Sequence, residues 1–359
     1  MKLHQKFGLI LSIISLLSFM SYANADTKVI ASIKPLHSLI SYVMDGVGTP
    51  DLLVDGSSSP HTFQLKPSHA TMLQEADIVF WIGEDLESFL ETPLQSIAKN
   101  SRHIALMDSD EIELLKFREK NIFGSHDEHE EHADEHEGHD DHDEHEEHAD
   151  EHEGHDEHEG HDEHEGHDEH EGHDEHEGHD EHEGHDDHGH AHGEYDMHFW
   201  LDPGIAKTIV KIVARELSEI DPDNSSTYKT NSIKALNKID LLISDAKSKI
   251  NRDAKYVVFH DAYQYFEKRF GVEVIGALTV NPEVLPGAKQ LAEIREVIEH
   301  ESVNCLFSEP QFNPRIAETI ARDTGVKAAI IDPLGAELNL GKDLYFDLIE
   351  NIVSSFESC

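Results

Sequence analysis

The residues best equipped for chemistry in this chain are its 31 histidines. Twenty-three of them fall between Gly124 and Gly193, in a run that also holds 33 Asp and Glu and no Lys or Arg. An imidazole has an unperturbed pKa near 6.5, so most of these rings are neutral near pH 7 and able to bind metal. From His155 a unit His-Asp-Glu-His-Glu-Gly repeats up to His185. It spaces His155 from His158, His161 from His164, and His167 from His170 by three residues. Such a run offers many equivalent ways to hold a metal. Binding there is expected to be numerous, weak and exchangeable, as in an accessory collector or sensor. A solvated stretch with no metal role is the alternative. Outside the run stand eight histidines. Three of them, His61, His198 and His260, are candidates for a selective site, with Asp332 as a candidate fourth ligand. Three imidazoles with a carboxylate or a water make a tetrahedral set suited to Zn2+. A zinc hydrolase would need an open position and a nearby general base. No His-Glu-x-x-His motif occurs, so the chain is not expected to be an enzyme.

The elements that must position these residues are legible on both sides of the run. Before it, Lys28–Ile33, Pro50–Asp55, Ala76–Gly83 and Arg102–Asp108 read as strands. Helices are expected at Leu36–Met44, from an N-cap at Ser68, and over Glu84–Ala98. After it, Asp202 and Pro203 form an N-cap and N1 pair for a helix reaching about Ile220. Ser226–Ile250 carries Ile233, Leu236, Ile239, Ile243, Ala246 and Ile250 at helical spacing, with no Gly or Pro inside. It predicts one long amphipathic helix. Strands then resume at Lys255–His260, Val272–Thr279, Asn304–Ser308 and Val326–Asp332. They alternate with helices at Ala262–Phe270, Gly287–His300, Pro314–Thr324 and Lys342–Phe356. Alternation of this kind implies parallel sheets covered on both faces. The expected fold class is α/β: two (β/α)4 lobes joined by a long rigid helix, with a metal cleft between them. The expected boundaries are 26–222 for the first lobe, 223–252 for the linking helix and 253–359 for the second lobe.

In open α/β sheets, ligands sit beyond the C-terminal ends of strands. His260 and Asp332 end strands, His61 lies in the loop after one, and His198 precedes a helix. Each has a structural alternative. His198 reads equally as a cap or surface residue, His260 as a hydrogen-bonded core residue, His61 as plain loop, and Asp332 as a turn residue. His37, His69, His103 and His300 read as surface or capping positions.

Composition narrows the setting. The formal charge is −47, of which the run supplies −33, leaving −14 for the rest. A mildly acidic body does not suit nucleic acid, which calls for a basic surface. The run lacks apolar residues to bury and is expected to be a disordered insert over 124–193. Lys2 and Lys6, the apolar stretch Phe7–Phe19 and Ala23-Asn24-Ala25 read as a cleavable signal peptide over 1–25. The apolar core is too short for a membrane span, which needs roughly 20 residues. No Cys follows it, which argues against a lipid anchor. An exported chain whose cysteines are Cys305 and Cys359 suggests one disulfide. Two free thiols are the alternative.

Several segments carry a resemblance. They are Ser59-Pro60-His61-Thr62-Phe63-Gln64-Leu65-Lys66-Pro67-Ser68, Asp196-Met197-His198-Phe199-Trp200-Leu201-Asp202-Pro203, Val258-Phe259-His260-Asp261-Ala262-Tyr263-Gln264-Tyr265-Phe266, Phe307-Ser308-Glu309-Pro310-Gln311-Phe312 and Ile331-Asp332-Pro333-Leu334-Gly335. Taken in this order they resemble the signature segments of the periplasmic zinc-binding proteins of zinc ABC importers. The resemblance spans the chain outside the signal peptide and insert. It implies that His61, His198 and His260 ligate zinc and that Cys305 pairs with Cys359. It also implies a monomeric receptor in the periplasm, partnered by an inner-membrane permease with its cytoplasmic ATPase. One departure stands out. Some relatives have Glu directly before the first ligand His, where this chain has Pro60. The fourth position then falls to Asp332 or a water. Manganese relatives have Glu where this chain has His260, and a third nitrogen shifts preference toward zinc.

Overall fold

A computed structural model describes residues 27–55, 58–118, 120–122, 193–282 and 284–359. The expected signal peptide and the expected disorder of the insert lie outside these residues. Among the described residues, no helix is long and apolar enough to cross a membrane.

Two four-stranded parallel sheets form the frame. The first holds β1 (Val29–Ala31), β2 (Asp51–Leu52), β3 (Ile78–Trp81) and β4 (Arg102–Ala105), in the order β2-β1-β3-β4. The second holds β5 (Lys255–His260), β6 (Glu273–Thr279), β7 (Cys305–Ser308) and β8 (Lys327–Ile330), in the order β6-β5-β7-β8. Central strands β1 and β3 are wholly buried, as a sheet covered on both faces requires. Edge strands β2 and β8 are largely exposed. Helices α1 (Lys34–Val43), α2 (Pro67–Glu75), α3 (Ser88–Ser96) and α4 (Pro203–Ile220) belong to the first lobe. The long helix is α5 (Ser225–Lys249), 25 residues and about 37 Å at 1.5 Å per residue. Helices α6 (Gln264–Phe270), α7 (Ala288–His300), α8 (Arg315–Thr324) and α9 (Leu344–Glu357) belong to the second. The expected α/β class, with two parallel four-stranded lobes and a long helix between them, is what folds.

Local departures have local causes. Helix α2 takes Lys66, not Ser68, as N-cap, because Pro67 fills N1. The Lys66 backbone N–H donates to His69 Nδ1 at 3.1 Å. Helix α3 begins at Ser88 rather than Glu84, because the Glu87 carboxylate accepts the N–H groups of Ile82 (2.9 Å) and Gly83 (3.1 Å) and holds a turn there. On α5 the buried face is Tyr228, Asn231, Ser232, Ala235, Ile239, Leu242 and Ala246. Ile233 points outward, 60% exposed, contrary to the periodicity reading. Polar and small residues win that face because α1 ends against it. The Asn231 amide donates to the carbonyls of Val43 (3.1 Å) and Asp45 (2.8 Å). Those carbonyls would otherwise be left unpaired at a buried helix end.

One hydrophobic cluster runs through both lobes. It takes in Phe80 and Trp200 from the first, Ala235 and Ile239 from α5, and Phe266, Phe307 and Phe356 from the second. Helix α9 packs on both α1 and α5. The Tyr345 N–H donates to Ser38 Oγ at 2.9 Å, and the Tyr345 hydroxyl to the Trp200 carbonyl at 2.8 Å. A disulfide joins Cys305 on β7 to Cys359, with Cα atoms 5.8 Å apart. The chain terminus is thereby tied to the centre of the second sheet.

Candidate metal centre

Three distant segments bring their histidines together. His260 is the last residue of β5, beside Thr279 at the end of β6. His198 precedes the 3₁₀ turn Phe199–Leu201, which leads through Asp202 into α4. His61 lies in the 3₁₀ turn Pro60–Thr62, where Ser59 Oγ accepts the His61 backbone N–H at 3.3 Å. One ring nitrogen from each of the three lies within 4.8 Å of the others. Among the described residues this is the one such cluster of His, Cys, Asp and Glu. His198 and His260 are buried, and His61 is half-buried.

Carboxylates orient the two buried rings. His198 Nδ1 lies 2.8 Å from Asp196 Oδ1, which also accepts the His198 backbone N–H at 2.9 Å. His260 Nδ1 lies 2.8 Å from Glu309 Oε1. A carboxylate that holds no proton only accepts hydrogen bonds, so with a cation between the rings each Nδ1 carries the proton and each Nε2 turns a lone pair to the cation. Those two Nε2 atoms face each other at 3.3 Å. Two lone pairs at that distance repel unless a proton or a cation lies between them. Asp196 is held in turn by Gln264 Nε2, 3.3 Å from its Oδ2. Burial pushes the Asp196 carboxyl up to about 7, against the lowering hydrogen bonds from His198 and Gln264. A cation between the histidines favours its ionised form. For His260 burial is the largest single influence and lowers the ring, yet the charge and hydrogen bond of Glu309 leave it raised.

Apart from the histidines the pocket wall is mostly apolar, with Ser59, Glu309 and Gln311 as its polar members. Trp200, Phe312, Pro333 and Leu334 line it. The His198 ring sits 5.3 Å from that of Trp200, and the His260 ring 5.3 Å from that of Phe312. A dry wall strengthens any electrostatic contact inside. Pro60 also lines the pocket and offers no donor.

Asp332 does not join the group, contrary to its reading as fourth ligand. Its Oδ1 accepts the N–H groups of Leu334 and Gly335, each at 3.0 Å, and the Gln311 amide at 2.9 Å. Its Oδ2 accepts the Ala336 N–H at 2.6 Å. Both oxygens are consumed in folding the loop 332–336, which turns at Gly335 with φ 68°. Loop and lobe are joined again by buried Lys34, whose Nζ donates to the carbonyls of Ala336 (2.8 Å) and Leu338 (2.9 Å). The residues His155, His158, His161, His164, His167 and His170 lie outside the described residues.

Sequence reading passed over Asp196, Glu309 and Gln311. A signal for the first existed, since an Asp two residues before a ligating His is well placed to take its Nδ1 proton. None existed for the pairing of Glu309 with His260, which are 49 residues apart.

Known proteins share this fold. A crystal structure of ZnuA matches with TM-score 0.64 at 20% identity, covering 93% of this chain and 98% of that one. A manganese-bound periplasmic metal-binding protein from Candidatus Liberibacter asiaticus matches with TM-score 0.64 at 15% identity, covering 92% and 98%. The overall fold is therefore shared with both structures along nearly the whole of each chain. Residues 29–359 match the family described as zinc-uptake complex component A, periplasmic, and the chain belongs to that ZnuA family. The high-affinity zinc uptake system protein ZnuA of Brucella abortus is 41% identical over 341 residues, 94% of this chain and 93% of that protein. Its namesake in Haemophilus influenzae is 41% identical over 351 residues, 96% of each.

Proposed function

We propose that this chain is a periplasmic zinc receptor. It takes up Zn2+ between His61, His198 and His260 and delivers it to an inner-membrane permease driven by a cytoplasmic ATPase. The observation that carries the reading is the pair of buried Nε2 atoms facing at 3.3 Å, each ring held from behind by a carboxylate. That arrangement costs energy while empty and is relieved by a cation. Three nitrogen donors favour zinc over manganese. The Asp196 and Glu309 carboxylates behind the rings offset the charge of a divalent ion. The names of the Brucella abortus and Haemophilus influenzae relatives support zinc as the cargo.

The chain acts as a monomer, catalyses no reaction, and reaches the periplasm through a cleaved signal peptide over 1–25. Its lobes are 26–222 and 253–359, with 223–252 between them. The histidine-rich insert over 124–193 is an accessory collector or sensor of metal. Zinc leaves through small shifts of ligand geometry.

Calorimetry with zinc tests the assignment. His260→Ala is expected to abolish the tight site, and replacing residues 124–193 by a flexible Gly-Ser linker is expected to preserve it. A buffer that works through the insert alone would show the reverse: tight binding kept in the first variant and lost in the second.

A further inference from the structure

Gln311 lines the three-histidine pocket. Its Nε2 donates to Asp332 Oδ1 at 2.9 Å. Asp332 Oδ1 also accepts two backbone N–H groups, and an ionised carboxylate has nothing to donate. The amide group turned toward Asp332 must therefore be the nitrogen end. That leaves Gln311 Oε1 as an acceptor on the other side, buried and with no hydrogen-bond partner. An unpaired buried acceptor costs roughly 1–3 kcal/mol, which calls for something to occupy its vicinity.

Resting on the three-histidine reading, we propose that Gln311 serves the fourth coordination position of the metal. Its Oε1 accepts a hydrogen bond from a water bound there, and Asp332 is the positioning residue that keeps oxygen, not nitrogen, toward the cation. Charge supports a neutral group in this place. A divalent cation with neutral imidazoles is already balanced by Asp196 and Glu309, one carboxylate behind each buried ring. A third carboxylate as direct ligand would leave the pocket with a net negative charge behind an apolar wall. Pro60, which also lines the pocket, offers no acid, and the Asp332 oxygens are engaged by the loop. An amide oxygen meets the need without adding charge. Turned the other way, the amide would aim its N–H groups at the cation and repel it.

The full mature chain tests this with two probes, zinc and cobalt(II). A competing chelator is set to strip weak sites and leave one tight site. Gln311→Leu and the near-isosteric Gln311→Met remove the acceptor while keeping bulk; either one suffices if the other fails to fold. Zinc affinity is expected to fall about tenfold or more, as for other residues that touch metal-bound groups. The visible spectrum of the cobalt-loaded protein is expected to change, which a merely structural role would not produce. Combining Asp332→Ala with Gln311→Leu is expected to weaken zinc no further than Asp332→Ala alone. Unchanged affinity together with an unchanged cobalt spectrum in the Gln311 variants would overturn the assignment, and fully additive losses would overturn the role of Asp332. His260→Ala separates this from failure of the underlying reading. If that variant keeps the tight site and its cobalt spectrum, the three-histidine site itself is wrong.

Discussion

Glu309 is fully buried against His260 and has no contact with solvent to repay its burial. Its return comes from fixing the ring tautomer, so the prediction belongs to this one residue. Glu309→Gln should weaken zinc binding by about 10- to 100-fold with the fold intact; competition titration and circular dichroism measure the two parts. Glu87 is another fully buried carboxyl. Burial pushes the Glu87 carboxyl up from 4.5 to about 7, despite hydrogen bonds from the Gly83 and Ile82 N–H groups. A native pKa above the unfolded one means the folded state holds its proton more tightly. Stability from this group is full below about 4.5 and is lost as pH rises through about 7. The loss is on the order of 3 kcal/mol at 1.36 kcal/mol per pH unit. Glu87→Gln imitates the protonated form and should stabilise the protein at pH 8 but hardly at pH 4.5. Urea titrations at the two values check this; an equal gain at both would refute it. At this scale the three histidines stood out by position, His260 at a strand end, His198 before a helix and His61 in the loop after a strand. Asp332 was misread for the same reason. Its position at a strand end was visible, but the four hydrogen bonds that occupy its oxygens depend on how the following loop turns.

The elements were legible because their signals are local. All eight strands were expected near where they form, as short apolar runs between turns. Helix α5 was visible as a long stretch without Gly or Pro, and of the six apolar positions assigned to its buried face only Ile233 is exposed. Periodicity ranks Ile233 above Asn231, and only the nearby end of α1 reverses that order. The neck of the insert shows the same limit. Phe117 N–H donates to the Glu194 carbonyl at 3.1 Å, and Asp196 N–H to the Leu115 carbonyl at 2.8 Å. Ile122 then bridges to Gly276 at the margin of the second sheet. Arg118, between these anchors, pairs with Asp261 at 3.0 Å and Glu267 at 2.8 Å. At the other end of the second lobe, the disulfide closes a loop spanning 54 residues and holds α9 against β7. A chain-entropy estimate for that loop is about 4 kcal/mol, and measured values are typically 2–4. Replacing both cysteines by Ser should lower the melting temperature by about 5–15 °C. A calorimetric scan with no shift would mean that α9 is held by packing alone.

Across the whole molecule, one hydrophobic cluster takes in residues of both sheets, which opposes a wide hinge. Helix α9 of the second lobe packs on α1 and α5. Arg269 grips Asp202 at 2.5 and 2.8 Å, and the Trp200 indole donates to the Pro333 carbonyl at 2.9 Å. Opening the lobes would expose a core they share. Small-angle scattering of zinc-free and zinc-loaded protein is therefore expected to give nearly superimposable profiles for the body, measured with the insert replaced. A marked change in radius of gyration would contradict the limited motion proposed for release. By itself the sequence determined the α/β alternation, the cysteine pair, the acidic insert and the three histidines, because these depend on residue type and short-range order. Tertiary structure alone decided which carboxylates stand behind the rings, that Asp332 folds a loop, and that Gln311 donates its amide to Asp332. Each of those rests on partners brought together from separate segments of the chain, and only the packed fold sets which lone pair faces which donor.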